Sequence, residues 1–189
     1  MRKLPKNLEN PIDNLIYVFV EPHSEYLNNL SPNCITTISF IFAILALYSY
    51  YKEDYNYAAA FYFISYFYDC VDGYHARRKN MVTKFGDYYD HLTDMILNGG
   101  ITFLIMNKYK DSKYFYKILI TITILLYGMY YHFGCQEHYY NKEKEKSPLL
   151  NLFGLCKKNP EEQLVYSRYV GSGTLVFITV LIILFSKKL

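Results

Sequence analysis

Residues 69–94 read DCVDGYHARRKNMVTKFGDYYDHLTD, and two pairs of aspartates mark the ends of this stretch. Asp69 and Asp72 lie three residues apart, and Asp90 and Asp94 lie four residues apart. Residues three or four apart share one face of an α-helix. The stretch therefore predicts two acidic helix faces, joined by a short connection that is rich in arginine and lysine.

Long apolar runs on both sides of this stretch indicate that it is embedded in a membrane. Five runs approach the ~20 residues needed to cross a hydrocarbon core of ~30 Å. They are Cys34–Tyr51, Tyr57–Val71, Tyr88–Met106, Tyr114–Phe133 and Gly171–Phe185. The first, fourth and fifth are almost free of charge, whereas the third carries the aspartates in its first half. The sequence therefore predicts a bundle of membrane-spanning helices.

The segment before the first span has its own pattern. Ile12–Val20 is an apolar patch between Pro11 and Pro22, which we interpret as a short helix lying along the membrane interface. Ser31-Pro32-Asn33 is typical of a helix start, with Asn33 as the capping residue. The predicted architecture is an all-α integral membrane protein with a single domain over 1–189, in which 1–33 is the cytoplasmic and interfacial segment and 34–187 is the transmembrane bundle.

The composition agrees with a membrane protein and argues against other classes. Of the 189 residues, 52% are hydrophobic and 20% are charged, which excludes a disordered or fibrous chain. The net charge of +3 is too small to indicate nucleic-acid binding. A mean hydropathy of −0.03 suggests a soluble protein. That average reflects 23 tyrosines, which score as polar but are well suited to membrane interfaces.

The four cysteines are far apart in the sequence and form no C-x-x-C pair. This spacing argues against a zinc site or a disulfide framework. We therefore expect Cys34, Cys70, Cys135 and Cys156 to be small buried apolar residues.

The basic residues predict the orientation. With the N-terminus in the cytoplasm, 13 of the 20 lysines and arginines lie on the cytoplasmic side, as the positive-inside rule favours. They are Arg2, Lys3, Lys6, Arg77, Arg78, Lys79, Lys84, Lys142, Lys144, Lys146, Lys157, Lys158 and Arg168. The stretch Glu137–Glu162 is then a polar cytoplasmic loop, and the aspartates lie on the cytoplasmic side as well.

Four converging carboxylates at the membrane need compensating charge. A single Asp at the bilayer centre costs at least ~2.5 kcal/mol, and four of them would also repel one another. Two divalent cations would neutralise the four negative charges, and an all-oxygen ligand set suits Mg²⁺, Mn²⁺ or Ca²⁺ rather than Zn²⁺. A two-metal site beside arginines is typical of phosphoryl transfer. The alternative is a set of interfacial aspartates paired with Arg77, Arg78 and Lys84.

The spacing D-x2-D-G-x2-A-R-x8-G-x3-D-x3-D, complete from Asp69 to Asp94, resembles the signature of the CDP-alcohol phosphotransferase family. The upstream Ser31-Pro32-Asn33-Cys34-Ile35-Thr36 is similar to the P-N-x-I-T opening of that family's first span. The resemblance implies a membrane enzyme, commonly a homodimer with six core spans, that cleaves a CDP-linked donor and releases CMP. A sixth span here would be hidden around Leu149–Leu155, or the last one is missing.

The resemblance also implies roles for individual residues. Asp69, Asp72, Asp90 and Asp94 would bind two Mg²⁺ or Mn²⁺ ions. Asp72, Gly73, Ala76, Arg77 and Gly86 would frame the CDP group. Asp94 is the family's usual candidate for the general base that deprotonates the acceptor hydroxyl. His91 is a second candidate, because its unperturbed pKa is near neutrality and an Asp-His pair here resembles the choline/ethanolamine phosphotransferase branch.

Two branches of the family remain open. Asp90-His91 and Arg77-Arg78 favour transfer of a small phospho-alcohol from its CDP form to a lipid hydroxyl. Thr83-Lys84-Phe85-Gly86 and the short chain favour a phosphatidylinositol-synthase-like enzyme that uses CDP-diacylglycerol and a small polar alcohol. Alternatives of another class are an ion-path protein or an inactive membrane module. The expected location is an endoplasmic-reticulum-type membrane in a eukaryotic host or the inner membrane in a bacterial host.

Overall fold

The computed structural model describes residues 1–140, 156 and 159–188, and over these residues the secondary structure is helical, without a β-strand. The helices are α1 (Pro11–Tyr26), α2 (Pro32–Tyr51), α3 (Tyr55–Arg78), α4 (Lys84–Tyr109), α5 (Phe115–Tyr140), α6 (Pro160–Ser167) and α7 (Ser172–Phe185). Short 3₁₀ turns at Arg168–Val170 and Ser186–Lys188 precede and follow α7.

Within the described part of the chain, three helical segments are long and apolar enough to cross a membrane: Pro32–Tyr51, Phe115–Tyr139 and Pro160–Phe185. With 24 and 26 residues, α3 and α4 also have the length to cross, but their facing ends carry charges. The prediction of an all-α membrane protein is confirmed. The number of five or six spans stays a prediction, and Leu149–Leu155 lies outside the described residues.

Three of the five predicted spans lie within a helix, the other two begin one residue before theirs, at Tyr114 and Gly171, and several helices extend beyond the apolar run. α3 continues to Arg78 and so carries Asp69 and Asp72 in its last three turns. α5 continues to Tyr140, and α6 begins at Pro160, so both described ends of the predicted polar loop Glu137–Glu162 are helical and that part of the prediction is wrong. Hydropathy identifies only the apolar part of a helix, because backbone hydrogen bonds continue through polar residues.

The N-cap of α2 lies two residues earlier than the sequence predicts. Ser31, not Asn33, is the N-cap, and its hydroxyl accepts a hydrogen bond from the Cys34 amide at 3.3 Å. Pro32 takes the first helical position, where its missing N–H has no cost. Asn33 lies inside the helix, and its amide oxygen faces the start of α4 near Gly86.

α1 has an apolar face that the rest of the protein leaves uncovered. Leu15, Val18 and Phe19 are 69, 61 and 68% exposed, whereas Ile16 and Val20 are buried against the bundle. A helix with this division suits the membrane interface, as the sequence predicts.

The predicted end of this interfacial helix at Pro22 is wrong, because α1 continues through Pro22 to Tyr26. A proline inside a helix removes one backbone donor, but tertiary contacts can hold the following turn in place. Here the buried Ser24 hydroxyl contacts Nδ1 of His75 on α3 at 3.0 Å, which fixes the turn after Pro22.

Tight antiparallel packing of α2 against α3 brings the helix ends together. The Ser39 hydroxyl donates to the Ser65 carbonyl at 2.8 Å, and the Ser65 hydroxyl donates to the Ser39 carbonyl at 2.9 Å. Small residues at such contacts allow close approach of the two backbones. The end of the bundle that contains the four aspartates is called the acidic end below. The opposite end is called the distal end.

One pair of cysteines contradicts the expectation from sequence spacing. Cys135 near the end of α5 and Cys156 form a disulfide across 21 positions of sequence. Both are buried beside Leu4, Leu8 and Leu164, so the N-terminal segment covers the bond. Cys34 is exposed rather than buried, and Cys70 is half-buried. Sequence spacing alone does not show that the chain after α5 returns to the side of that helix.

We expect Gly173→Ala to destabilise the protein by about 2 kcal/mol or more, because a methyl group at this position would overpack a buried contact. A Cβ there would lie 2.2 Å from Oδ1 of Asp13 and 2.9 Å from Oδ1 of Asn10, where α1 and α7 begin. Thermal unfolding of the purified protein in detergent measures the effect.

Gly99→Ala on α4 is the matched control, since a Cβ there meets nothing within 4 Å. It should be neutral or stabilising by up to about 1 kcal/mol through helix propensity. Equal unfolding temperatures for the two variants would contradict the prediction.

Candidate functional site

The last turns of α3 and the first turns of α4 bring three aspartates together at the acidic end. One carboxylate oxygen from each of Asp69, Asp72 and Asp90 lies within 4.8 Å of the others. Asp72 is 4% exposed, and the other two are half-buried. We call these three residues the aspartate triad. Its geometry results from the three-residue spacing on α3 and from the way α4 returns beside that helix.

The aspartate triad has the chemistry of a divalent-cation site. Oδ2 of Asp72 and Oδ1 of Asp90 are buried and have no hydrogen-bond partner among the described residues. A buried carboxylate oxygen without a donor costs free energy, and so do three negative charges at this distance. A hard divalent cation such as Mg²⁺ or Mn²⁺ is the partner that such oxygens prefer. The residues present therefore fit the metal that the sequence implies.

A cavity of about 150 Å³ opens beside the aspartate triad. Among the residues singled out from sequence, it is lined by Asp69, Gly73, Arg77, Asp90, His91 and Asp94. Asp94 thus shares the cavity although it lies outside the aspartate triad. Asp72 belongs to the aspartate triad but does not line the cavity. Ala76 and Gly86 belong neither to the aspartate triad nor to the cavity lining.

Arg77 is held over the cavity by its own helix and by the N-terminal segment. Its Nε donates to the Met1 carbonyl at 2.9 Å. Its two terminal nitrogens lie 3.2 and 3.3 Å from the position that a Cβ on Gly73 would take. A side chain at position 73 would therefore displace the guanidinium, which explains why glycine one turn before Arg77 matters for the site.

Two residues at the start of α2 contribute to the surroundings of the site. Thr36 lies next to the carboxylate of Asp72. Asn33 lies against the start of α4, where a Cβ on Gly86 would be 3.1 Å from its Oδ1. The sequence predicted Asn33 as a helix cap and as part of the P-N-x-I-T opening, without a role beside the aspartates. The P-N-x-I-T pattern was the available signal, because its polar members fall on one helical face.

His91 lies on the cavity wall next to Asp90. Its Nε2 is 3.4 Å from Oδ1 of Asp87, one turn earlier on α4. This contact is an ion-pair distance, and Nε2 makes no hydrogen bond within the described residues. The ring lines the cavity, with Nε2 buried and directed at Asp87.

The arginines at the end of α3 have other partners than the aspartates. Arg78 pairs with Glu25 at 3.4 Å and donates to the Ser24 carbonyl at 3.2 Å. Among the described residues, no salt bridge joins Arg77, Arg78 or Lys84 to the four aspartates. The interfacial ion pairs considered as the alternative to a metal site are thus not formed in this structure.

The N-terminal segment and α7 supply residues that the sequence did not single out. Glu9 and Asp13 line the cavity together with Lys3, Tyr66 and Ser172. The Tyr66 hydroxyl donates to Oδ1 of Asp13 at 2.6 Å. The sequence feature that could have indicated this role is Asp13, an acidic residue inside the apolar patch Ile12–Val20. Its partner is 53 positions away, so the contact could not be read from spacing.

Glu9 should make the stability of the protein depend on pH. Burial raises the pKa of Glu9 from 4.5 to about 7, and the nearby Asp13 adds to the rise. The folded state then holds this proton more tightly than the unfolded state. The resulting stabilisation is complete below pH 4.5 and is lost as the pH rises through about 7.

We therefore expect Glu9→Gln to stabilise the protein at pH 8 by up to about 3 kcal/mol and to flatten the fall in unfolding temperature between pH 5 and pH 8. Glu25→Gln, at the exposed end of α1, is the control and should leave the pH dependence as in wild type. Parallel curves for wild type and Glu9→Gln would contradict the prediction.

Comparison with known proteins agrees with this geometry. The family described as CDP-alcohol phosphatidyltransferase matches residues 29–157, which include the complete aspartate motif. The archaetidylinositol phosphate synthase of Pyrococcus horikoshii is 32% identical over 74 residues, a match that covers 39% of each chain. The chain thus aligns with about two fifths of that curated relative. No solved structure matches the chain.

The family match covers more than half of the chain and contains α2, α3 and α4, the helices that carry the aspartate triad and its surroundings. Its members are membrane-embedded transferases of phospholipid biosynthesis that depend on divalent metal ions. The chain belongs to the CDP-alcohol phosphatidyltransferase family.

Proposed function

We propose that the protein transfers a phospho-alcohol or phosphatidyl group from a CDP-linked donor to a hydroxyl acceptor, with release of CMP. The observation that carries the proposal is the convergence of three carboxylate oxygens within 4.8 Å beside a cavity that Arg77 overhangs. Asp69, Asp72, Asp90 and Asp94 would hold two Mg²⁺ or Mn²⁺ ions. When bound, such ions neutralise diphosphate oxygens and stabilise the charge that develops on a leaving phosphate.

Arg77 would bind the diphosphate of the donor. A guanidinium presents parallel N–H donors that match phosphate oxygens, and it keeps its charge in a partly buried site. Nε of Arg77 already donates to the Met1 carbonyl. The two terminal nitrogens, which lie over Gly73, would therefore bind the phosphates of the donor. Gly73, Ala76 and Gly86 would keep the backbone of α3 and α4 accessible to the CDP group, with Asp72 beside it.

Asp94 would act as the general base. Of the four motif aspartates, it alone lines the cavity without belonging to the aspartate triad, so it is the motif aspartate best placed to accept a proton. The acceptor oxygen loses its proton to Asp94 and bonds to the donor phosphorus that carries the alcohol. The bond from that phosphorus to the CMP oxygen breaks, and CMP leaves with the electron pair. His91 would orient the acceptor hydroxyl from the cavity wall.

Two donor classes fit this chemistry. The adjacent Asp90 and His91 favour a choline/ethanolamine phosphotransferase-like reaction, in which the donor carries a small amino alcohol. The alternative is a phosphatidylinositol-synthase-like reaction, in which the donor is CDP-diacylglycerol and the acceptor is a small polar alcohol. In either case one substrate is a membrane lipid, which agrees with a site at the end of a membrane helix bundle.

We further propose that residues 1–189 act as one domain, that the acidic end faces the cytoplasm and that the protein works as a homodimer. Four arginines that the sequence predicts to be cytoplasmic support this orientation, because they lie at the same end of the bundle. Arg2, Arg77, Arg78 and Arg168 all contact α1 or the segment before it, at the acidic end.

The decisive experiment measures CMP formation by the purified protein with Mn²⁺. One reaction contains CDP-choline or CDP-ethanolamine and diacylglycerol. The other contains CDP-diacylglycerol, or its archaeol counterpart, and inositol or inositol phosphate. We expect CMP in the first reaction, and only when the acceptor is present. CMP in the second reaction alone would assign the alternative branch. No CMP from any pair would refute the proposal and favour an inactive module or an ion-path protein.

A further inference from the structure

A second recess lies at the distal end, far from the aspartates. It has a volume of about 300 Å³, at the lower limit of typical ligand pockets, and it opens between the end of α4, the start of α5 and the end of α7. Its walls are largely apolar and include Ile118, Ile178, Leu181, Ile182 and Phe185. We call this recess the distal groove.

Specific contacts hold the distal groove open. Tyr109, which lines it, is fully buried. The rings of Tyr114 and Phe185 meet edge to face with 6.0 Å between centroids. The Ser186 hydroxyl contacts the hydroxyl of Tyr50 at 3.0 Å and that of Tyr109 at 3.4 Å. The groove is therefore part of the packed bundle, because the ends of α2, α4 and α7 are joined to one another beneath it.

One lysine lines the distal groove, and two more lie within two residues of lining positions. Lys117, in the first turn of α5, lines the groove and is exposed. Lys113 stands over the Tyr114 ring at 5.2 Å, and Lys187 follows two residues after Phe185. The first turn of α5 adds the positive end of a helix dipole. An apolar groove with a cationic rim is complementary to a molecule with a hydrocarbon chain and a phosphate.

We propose that the distal groove binds one membrane lipid with an anionic headgroup, its chain along α7 and its phosphate at Lys117. The lipid fills the gap between α4, α5 and α7 and stabilises the bundle.

This lipid is distinct from the substrate of the transfer reaction. Tyr109 lies nineteen positions after Asp90 on α4, which corresponds to about 28 Å along the helix axis. A lipid chain that reaches the aspartate triad enters from the opposite end. Lipid binding in the distal groove therefore does not depend on the proposed transfer reaction.

Native mass spectrometry of the purified, delipidated protein tests the inference. Dioleoyl phosphatidylglycerol and dioleoyl phosphatidylcholine are added at equal concentrations, and bound lipid is counted. We expect one tightly retained phosphatidylglycerol in wild type and weaker retention of phosphatidylcholine. Lys117→Gln should weaken phosphatidylglycerol binding about fivefold, the effect of one surface lysine near an anionic headgroup. Thr121→Trp, which fills the groove from its exposed side, should weaken the binding of both lipids.

Two controls make the result specific. Lys110→Gln removes a charge at the same end but outside the groove, and Asp69→Asn alters only the acidic end. Both should retain phosphatidylglycerol as wild type does. Equal retention of the two lipids by wild type would overturn the inference. So would unchanged binding in Lys117→Gln and Thr121→Trp, or an equal loss of binding in Lys110→Gln.

Discussion

Replacing Asp69 with asparagine is expected to lower CMP formation by about 10³-fold or more. The Asp69 carboxylate is one of three whose oxygens converge within 4.8 Å, and it also lines the cavity beside them. A neutral amide keeps the shape of the side chain but removes one of the negative charges that would hold a divalent ion. Metal ions contribute several kcal/mol to the stabilisation of transferring phosphates, which corresponds to a rate factor of this size.

A measurement without turnover separates loss of metal binding from loss of structure. Without metal, Asp69→Asn removes repulsion among buried carboxylates, so its unfolding temperature should equal or exceed that of wild type. With Mn²⁺, the unfolding temperature of wild type should rise, because a ligand that binds only the folded state stabilises it. The variant should lose most of this rise.

Asp111→Asn is the control, since it removes an acidic side chain in the α4–α5 connection at the distal end. It should retain both turnover and the Mn²⁺-dependent rise in unfolding temperature. If Asp69→Asn retains both as well, the assignment of Asp69 as a metal ligand is wrong.

The fold was largely predictable because apolar runs of this length have few alternatives to membrane helices. Their ends were less predictable. Tyrosines and charged residues extend α3 and α5 beyond the apolar core, and the contact between Ser24 and His75 lets α1 continue past Pro22. Each of these extensions depends on polar contacts or on backbone bonding, neither of which a hydropathy pattern records.

The aspartates were recognisable because their spacing is periodic within single helices. Their relation across helices was not, since the rotation of α4 against α3 places Asp90 in the aspartate triad and Asp94 outside it. The contributions of Glu9 and Asp13 were also hidden. They depend on the N-terminal segment crossing the acidic end and on Tyr66 contacting Asp13. The pairing of Cys135 with Cys156 was missed for the same reason, because it is a tertiary contact.

The choice between Asp94 and His91 as general base leads to the second large effect. We expect Asp94→Asn to lower CMP formation by about 10³-fold and His91→Ala to lower it about tenfold, since a positioned general base contributes roughly 10²- to 10⁴-fold. Asp94 lies in the cavity outside the converging oxygens, whereas Nε2 of His91 is 3.4 Å from the carboxylate of Asp87. Asp94 is thus available to take a proton, and His91 is placed to orient the acceptor.

The dependence of the rate on pH, taken together with the Mn²⁺-dependent rise in unfolding temperature, distinguishes a base from a metal ligand. A base must be deprotonated, so the wild-type rate should fall as the pH is lowered, and Asp94→Asn should lose this acidic limb. His91→Ala should keep it. Asp94→Asn should also keep at least half of the Mn²⁺-dependent rise in unfolding temperature, because the aspartate triad remains intact. A larger loss of rate in His91→Ala than in Asp94→Asn, with the acidic limb missing only in the histidine variant, would assign the base to His91 instead.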